Sequence, residues 1–213
     1  MNRNIFQYGY WFGTAAFAAT VAFVVVQLMQ LLRLLPYPSD EILIYGFSLC
    51  IVIPFVLEML ALHYAAPDDR KYWSHAALIL TVIYAVFVTA NYVVQLGTVI
   101  PATLRGATAE VSVLAQTPHS LFWDYDAIGY ISMGIAMLLA VPVFRNERAD
   151  RRVKMAFIAN ALVVPLIAIV YFYPVFSEQL LLLGLPWGIT APLAMLMLAL
   201  WFKQNLNAEP GAD

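Results

Sequence analysis

The sequence predicts an all-α polytopic membrane protein: six transmembrane helices in one bundle, with N and C termini cytoplasmic. Three observations predict it, namely the composition, six long apolar runs separated by breakers, and a one-sided distribution of basic residues. Hydrophobic residues make up 63% of the chain and charged residues 11%, with mean hydropathy +0.79. Soluble domains run at about 45–50% apolar and about 25% charged. A chain of 213 residues folded in water could not hide this much apolar surface, so its solvent is lipid. The net charge of −2 is too small to argue for a nucleic-acid partner. The single cysteine, Cys50, excludes an intramolecular disulfide and is expected to pack as a small hydrophobe.

A helix crossing the hydrocarbon core needs roughly 20 apolar residues. Six segments qualify: Tyr10–Leu32, Glu41–Tyr64, Ser74–Leu96, Tyr125–Phe144, Val153–Tyr173 and Gln179–Phe202. Pro36, Pro38, Pro67, Pro101, Pro118 and Pro174 fall in or beside the gaps. The first run is too long for a signal-peptide core and is expected to be a retained span. Residues 1–203 therefore form one transmembrane domain, and 204–213 a short polar tail.

Basic residues set the orientation. Arg3, Arg70, Lys71, Arg145, Arg148, Arg151, Arg152, Lys154 and Lys203 fall on one side of the six-span scheme, against Arg33 and Arg105 on the other. The positive-inside rule makes the richer side cytoplasmic. The loop "RNERADRR", residues 145–152, is its strongest anchor. A lipid-phosphate or partner patch is the second reading of that loop.

The longest loop, about Gly97 to Asp124, is then external. Within "ATAEVSVLAQ", Ala107, Val111 and Leu114 share a side opposite Glu110 and Ser112, which predicts a short interfacial helix lying on the membrane. Thr117 and Pro118 are the expected N-cap and first residue of the following span.

Polar side chains converge in depth at the external level. Asn91 and Gln95 are four apart and share one helix face. Gln27 and Gln30 reach a similar level in span 1, as do Asp124, Asp126 and Tyr130 at the start of span 4. Tyr92, Trp123 and Tyr125 cluster with them. Two readings stand. The amides and carboxylates hold helices together and cap span 4, or they line an outer-facing pocket for a small amphiphilic ligand. For Trp123 the interfacial aromatic belt is a third account.

A second constellation lies nearer the cytoplasmic side. Glu58 is an ionisable residue inside span 2, and such a residue is a functional hypothesis by default. Tyr84 and Asn160 fall at comparable depth and are expected hydrogen-bond partners of a neutral Glu58 carboxyl. Its open roles are structural donor, proton carrier and general acid. His63 and His75 lie at the same boundary without further ligands at metal spacing, so no metal and no cofactor are expected. No span carries an interior lysine, and no H-E-x-x-H, G-x-S-x-G or Walker A motif occurs.

The stretches "NYVVQLGTVIPATLRG" and "TPHSLFWDYDAIGYISMGIAMLLAVPVF", within residues 91–144, resemble uncharacterised bacterial six-span membrane proteins of unknown function. The resemblance implies a bacterial plasma (inner) membrane location and transfers no residue role. The pairing of Glu58 with His63 resembles sterol-isomerase-like membrane proteins, which implies acid–base chemistry at a membrane carboxylate.

The leading expectation is a small membrane protein that binds a lipid, amphiphile or small molecule in an outer-facing polar pocket, as sensor, carrier or accessory subunit. The alternatives are an intramembrane lipid-modifying enzyme, an isomerase or hydrolase using Glu58 as acid or base, and a structural assembly partner. Expected partners are membrane lipids, a second copy of the chain or a larger membrane complex.

Overall fold

The computed structural model describes residues 3–145 and 147–207, and these contain helices and turns but no strand. Helix α1 spans Arg3–Leu31, α2 Ser39–Ala65 and α3 Lys71–Val94. A π turn over Gln95–Val99 joins α3 to α4, Ile100–Leu104. Then follow α5 (Leu121–Ala140), α6 (Arg148–Ala161), α7 (Val164–Phe172), α8 (Glu178–Leu181) and α9 (Trp187–Asn207). Merged across their short irregularities they give six helical segments long and apolar enough to cross a membrane. Of the expected tail, 204–207 continue α9, and 208–213 lie outside the described residues.

Consecutive spans pack side by side. α1 lies on α2, α2 on α3, α3 on α5, α5 on α6 and α7, and α6 on α9. The last span then closes on the first through α1 and α9, so the spans form a ring. Where α1 meets its neighbours it offers Gly13, Ala16 and Thr20, and α9 offers Ala191, Ala194 and Ala199. Small side chains let two helices approach closely, which matters in lipid because tails compete equally well for apolar contact. The outward faces carry large apolar residues such as Ile53, Leu162 and Ile189, as a lipid-facing surface requires.

Several boundaries differ from the sequence reading, each for a local reason. Span 3 does not end at Leu96. Pro101 has no N–H for the Gly97 carbonyl and its ring would crowd that group. The ladder widens instead, with the Ile100 N–H bonding Gln95 O, and the helix resumes to Leu104. It stops at Gly106, whose φ of +83° is accessible to glycine. There Gly106 N bonds Thr103 O and Ala107 N bonds Ala102 O, at 3.0 Å each, a Schellman ending that turns the chain back over α4.

The expected interfacial helix is a single 3₁₀ turn, Thr108–Val111. Its apolar side packs inward: Val111 buries against Val99 and Ala102, with Ala107 and Leu114 beside it. Ser120, not Thr117, caps α5, its Oγ accepting from Trp123 N at 3.2 Å. Span 5 breaks between α6 and α7 just before Pro165, and span 6 is interrupted around Pro186.

The opposite end of the ring is tied by two side chains. The Arg70 guanidinium donates from Nη1 to Phe144 O (2.8 Å) and Pro142 O (3.1 Å). These carbonyls end the fourth span and lack helical partners. Asp150 is buried; its Oδ2 accepts from Arg145 N at 2.6 Å and its Oδ1 from Trp201 Nε1 at 2.7 Å, joining the "RNERADRR" loop to α9. Arg70→Ala is expected to lower stability by roughly 1–3 kcal/mol, because it orphans carbonyls bound by a charged donor. Arg70→Lys should recover only part, since its ammonium sits on a shorter stem than Nη1, the nitrogen that makes both bonds. Unfolding in mixed micelles measures both, and an unchanged stability for Arg70→Ala would refute this tie.

Candidate functional site

Asp126 sits one turn inside α5 and is buried in a segment surrounded by apolar residues. A carboxylate there needs donors. Tyr92 Oη on α3 donates to Oδ1 at 2.6 Å, and Asn91 Nδ2 points to the same oxygen at 3.4 Å. Tyr171 Oη on α7 donates to Oδ2 at 2.5 Å, and Gln116 Nε2 from the α4–α5 loop donates to it at 3.1 Å. The carboxylate is thus met by two phenols and two amides, all neutral.

The donor directions extend outward from these bonds. The Tyr92 hydrogen is committed to Asp126, so in the 3.0 Å contact between Tyr92 Oη and Tyr130 Oη the donor is Tyr130. Tyr45 on α2 stacks on Tyr92 at 5.1 Å and 25°. Trp123 donates through Nε1 to Tyr171 O at 3.1 Å, with ring centroids 4.6 Å apart, which steadies the α7 tyrosine. Trp123 therefore has a partner inside the protein.

Asn91 and Gln95 both turn into the bundle and are buried. Their mutual contact is long, 3.4 Å, and each makes a better bond with the loop. Asn91 Nδ2 donates to Gln116 Oε1 at 3.0 Å. Gln95 Nε2 donates to Leu114 O at 2.8 Å, and Gln95 Oε1 accepts from Gln116 N at 3.1 Å. The two amides hold down the returning loop, and Gln116 delivers its own amide into the hub.

Asn91, Gln95, Asp126 and Tyr130 thus share one network. Gln27, Gln30 and Asp124 do not join it. Gln27 is exposed on α1. Gln30 Nε2 donates to Asp40 Oδ2 at 2.9 Å, across the α1–α2 turn. Asp124 lies half-buried in the first turn of α5, where a carboxylate faces the helix N-terminus. Depth along the spans groups these residues in the sequence, but helical phase turns them away from Asp126.

Gln116 and Tyr171 escaped the sequence reading. Tyr171 had a usable signal, a tyrosine in the same end of span 5. Gln116 had none, because a loop residue follows no periodicity.

Two buried polar atoms adjoin the hub on the Tyr130 side. Trp187 of α9 packs edge-on to Tyr130, with centroids 4.8 Å apart, and its Nε1 has no hydrogen-bond partner among the described residues. Ser48 on α2 is buried beside the Tyr130 hydroxyl as its hydrogen-bonding neighbour.

The second predicted constellation does not form. Glu58 is buried, yet neither of its oxygens has a hydrogen-bond partner among the described residues. Asn160 is engaged elsewhere: its Nδ2 lies 3.1 Å from Met137 Sδ, and its Oδ1 accepts from Thr190 Oγ1 at 3.0 Å. Tyr84 packs edge-on to Phe55 at 5.6 Å. Asn160 belongs to the α5–α6–α9 side of the ring, while Glu58 faces α1 and α9. His63 does not pair with Glu58 either, since its Nδ1 bonds Ser74 Oγ at 2.9 Å and its ring packs on His75. Ser74 gives its hydrogen to Lys71 O at 3.0 Å, so His63 Nδ1 is the donor in that pair.

Tyr171→Phe is expected to cost about 1–2 kcal/mol, the loss of one charge-assisted bond with ring packing retained. Asp126→Leu should cost more, roughly 2–5 kcal/mol, because it leaves several buried donors facing an apolar group. The double variant should cost less than the sum, since both remove the same bond. Additive losses would show that the phenol and carboxylate act independently.

The chain matches no protein-family description, no curated protein and no solved structure.

Proposed function

We propose that the chain is a small integral membrane protein that binds a lipid, amphiphile or other small hydrogen-bonding molecule beside the Asp126 hub, as a sensor, carrier or accessory subunit. The observation that carries this reading is a buried, unpartnered donor packed against Tyr130, Trp187 Nε1. In hydrocarbon such a group is costly, and a bound hydroxyl, carbonyl or ether oxygen would satisfy it. Gln116 supports the same reading. It presents an amide to Asp126 and Asn91 from a loop rather than from a span, so a ligand with a matching donor and acceptor competes with it.

The proposal includes an orientation. With the nine basic residues of the Arg70–Asp150 end on the cytoplasmic side, both termini are inside and the hub faces outward; the resemblance to bacterial six-span proteins adds a bacterial plasma membrane as the location. On a Cys50→Ser background, Arg148→Cys should react with an impermeant maleimide only after permeabilisation, and Thr108→Cys in intact cells. The reverse pattern would invert the orientation.

Native mass spectrometry of gently extracted protein tests the binding. The wild type should retain a defined small molecule. Trp187→Phe keeps the ring, loses the donor, and should weaken retention about tenfold, the worth of roughly one hydrogen bond. A folded wild-type protein that carries only bulk phospholipid, at levels unchanged by Trp187→Phe, would overturn the reading.

A further inference from the structure

On the far side of the ring from the hub, the Glu58 carboxyl fills a glycine notch. A methyl group added at Gly13 of α1 would collide with Glu58 Oε1, and would lie 2.8 Å from both Glu58 Cδ and Ala199 Cβ of α9. The carboxyl therefore rests against the α1 backbone, wedged where α1, α2 and α9 meet. It is 0% exposed. The core residues contributed by these helices, Ala16, Phe55, Met59 and Leu198, are apolar and buried. Neither oxygen has a partner among the described residues.

The charged and titratable groups nearest along each packed element stand off from it. On α2 the next is His63, five positions on and bonded to Ser74. On α3 it is Tyr84, packed edge-on to Phe55. On α1 it is Tyr10, one turn before Gly13. On α9 it is Lys203, one turn after Ala199, with its Nζ 5.2 Å from the Tyr10 ring centroid. No cation reaches the carboxyl within ion-pair distance among the described residues. An unpaired charge in such surroundings is costly, so the closed seam accommodates Glu58 only with its proton.

A merely structural acid would have an acceptor for that proton, and among the described residues this one has none. We propose that Glu58 is a proton-binding site set inside the membrane span, exchanging its proton through the α1–α9 seam past Tyr10 and Lys203. The ligand is the proton itself. On release, the carboxylate must be hydrated, and we assign the route to the seam at Gly13, where no α1 side chain stands between the backbone and the carboxyl. Lys203, with its Nζ 5.2 Å from the Tyr10 ring centroid, is the charged side chain that follows Ala199 along that route. This inference does not depend on ligand binding at the hub: although α2 and α9 contribute to both places, it rests on Glu58 and Gly13, which take no part in the hub.

Dicyclohexylcarbodiimide tests it on the full-length protein in nanodiscs. The reagent partitions into apolar regions and reacts with a protonated carboxyl. The acid proton passes to a reagent nitrogen, the carboxylate oxygen attacks the central carbon, and an acyl shift to nitrogen leaves a stable N-acylurea. Wild-type protein should gain one adduct, mapped to Glu58 by peptide mass, and Glu58→Gln should gain none. Labelling should slow about tenfold per pH unit once the site loses its proton. Lys203→Met should move that fall to higher pH, because it removes the positive charge one turn beyond Ala199 on the proposed route, whereas Arg152→Met should not. Infrared difference spectra of the wild type provide a second readout that needs no variant: a neutral carboxyl C=O band should disappear over the same pH range as the labelling. Absence of an adduct at Glu58 in folded protein would overturn the proposal. So would labelling and a C=O band that stay constant across the pH range in which the fold survives, since the proton would then be permanent.

Discussion

Asp126 accepts hydrogen bonds from α3, α7 and the α4–α5 loop while standing on α5. A carboxylate in hydrocarbon needs its donors within reach, and this need places four separate chain segments relative to one another. The π turn lets the helix pass Pro101 without ending, and the Schellman turn at Gly106 sends the chain back. Asn91 and Gln95 then hold the returning loop so that Gln116 arrives at Oδ2. Removing one donor leaves the carboxylate short of a partner, and removing the carboxylate takes the acceptor from both phenols and the Gln116 amide. Such a network is worth more whole than the sum of its single bonds.

The two ends of the ring handle buried polarity in different ways. At the hub end a carboxylate gathers neutral donors from side chains. At the basic end a guanidinium and a carboxylate serve backbone: Arg70 caps the fourth span's carbonyls, and Asp150 receives a loop N–H and an indole N–H. Both devices spend polar side chains on chain ends and turns, where helices leave backbone groups without partners. Glu58 follows neither pattern. It has the burial of Asp126 without its donors, and a glycine where a partner side chain would stand. That contrast separates a carboxyl held by the fold from one left available for exchange.

The ring order also explains why residues at one depth part company. The sequence puts Asn160 and Glu58 at similar depths, but α6 contacts α5 and α9 while α2 contacts α1 and α3. Asn160 therefore finds Thr190 and Met137. Likewise Gln30, expected at the level of Asn91, lies beside the α1–α2 turn and bonds Asp40.

Hydropathy and breaker placement alone determined that this is an all-helical chain with six membrane-length segments, because the length of an apolar run answers directly to hydrocarbon thickness. The shared face of Asn91 and Gln95 was equally legible, since i, i+4 spacing acts within one helix. The apolar side of Ala107, Val111 and Leu114 was legible as a stripe, but not its target, which is α4. Only the tertiary structure decided which residues meet across spans: Tyr171 and Gln116 on Asp126, Trp201 on Asp150, Gly13 on Glu58. Sequence periodicity reports the phase of a side chain about its own helix axis. The neighbour it meets depends on how the spans are ordered around the ring and rotated against each other, and that is set by packing all six together.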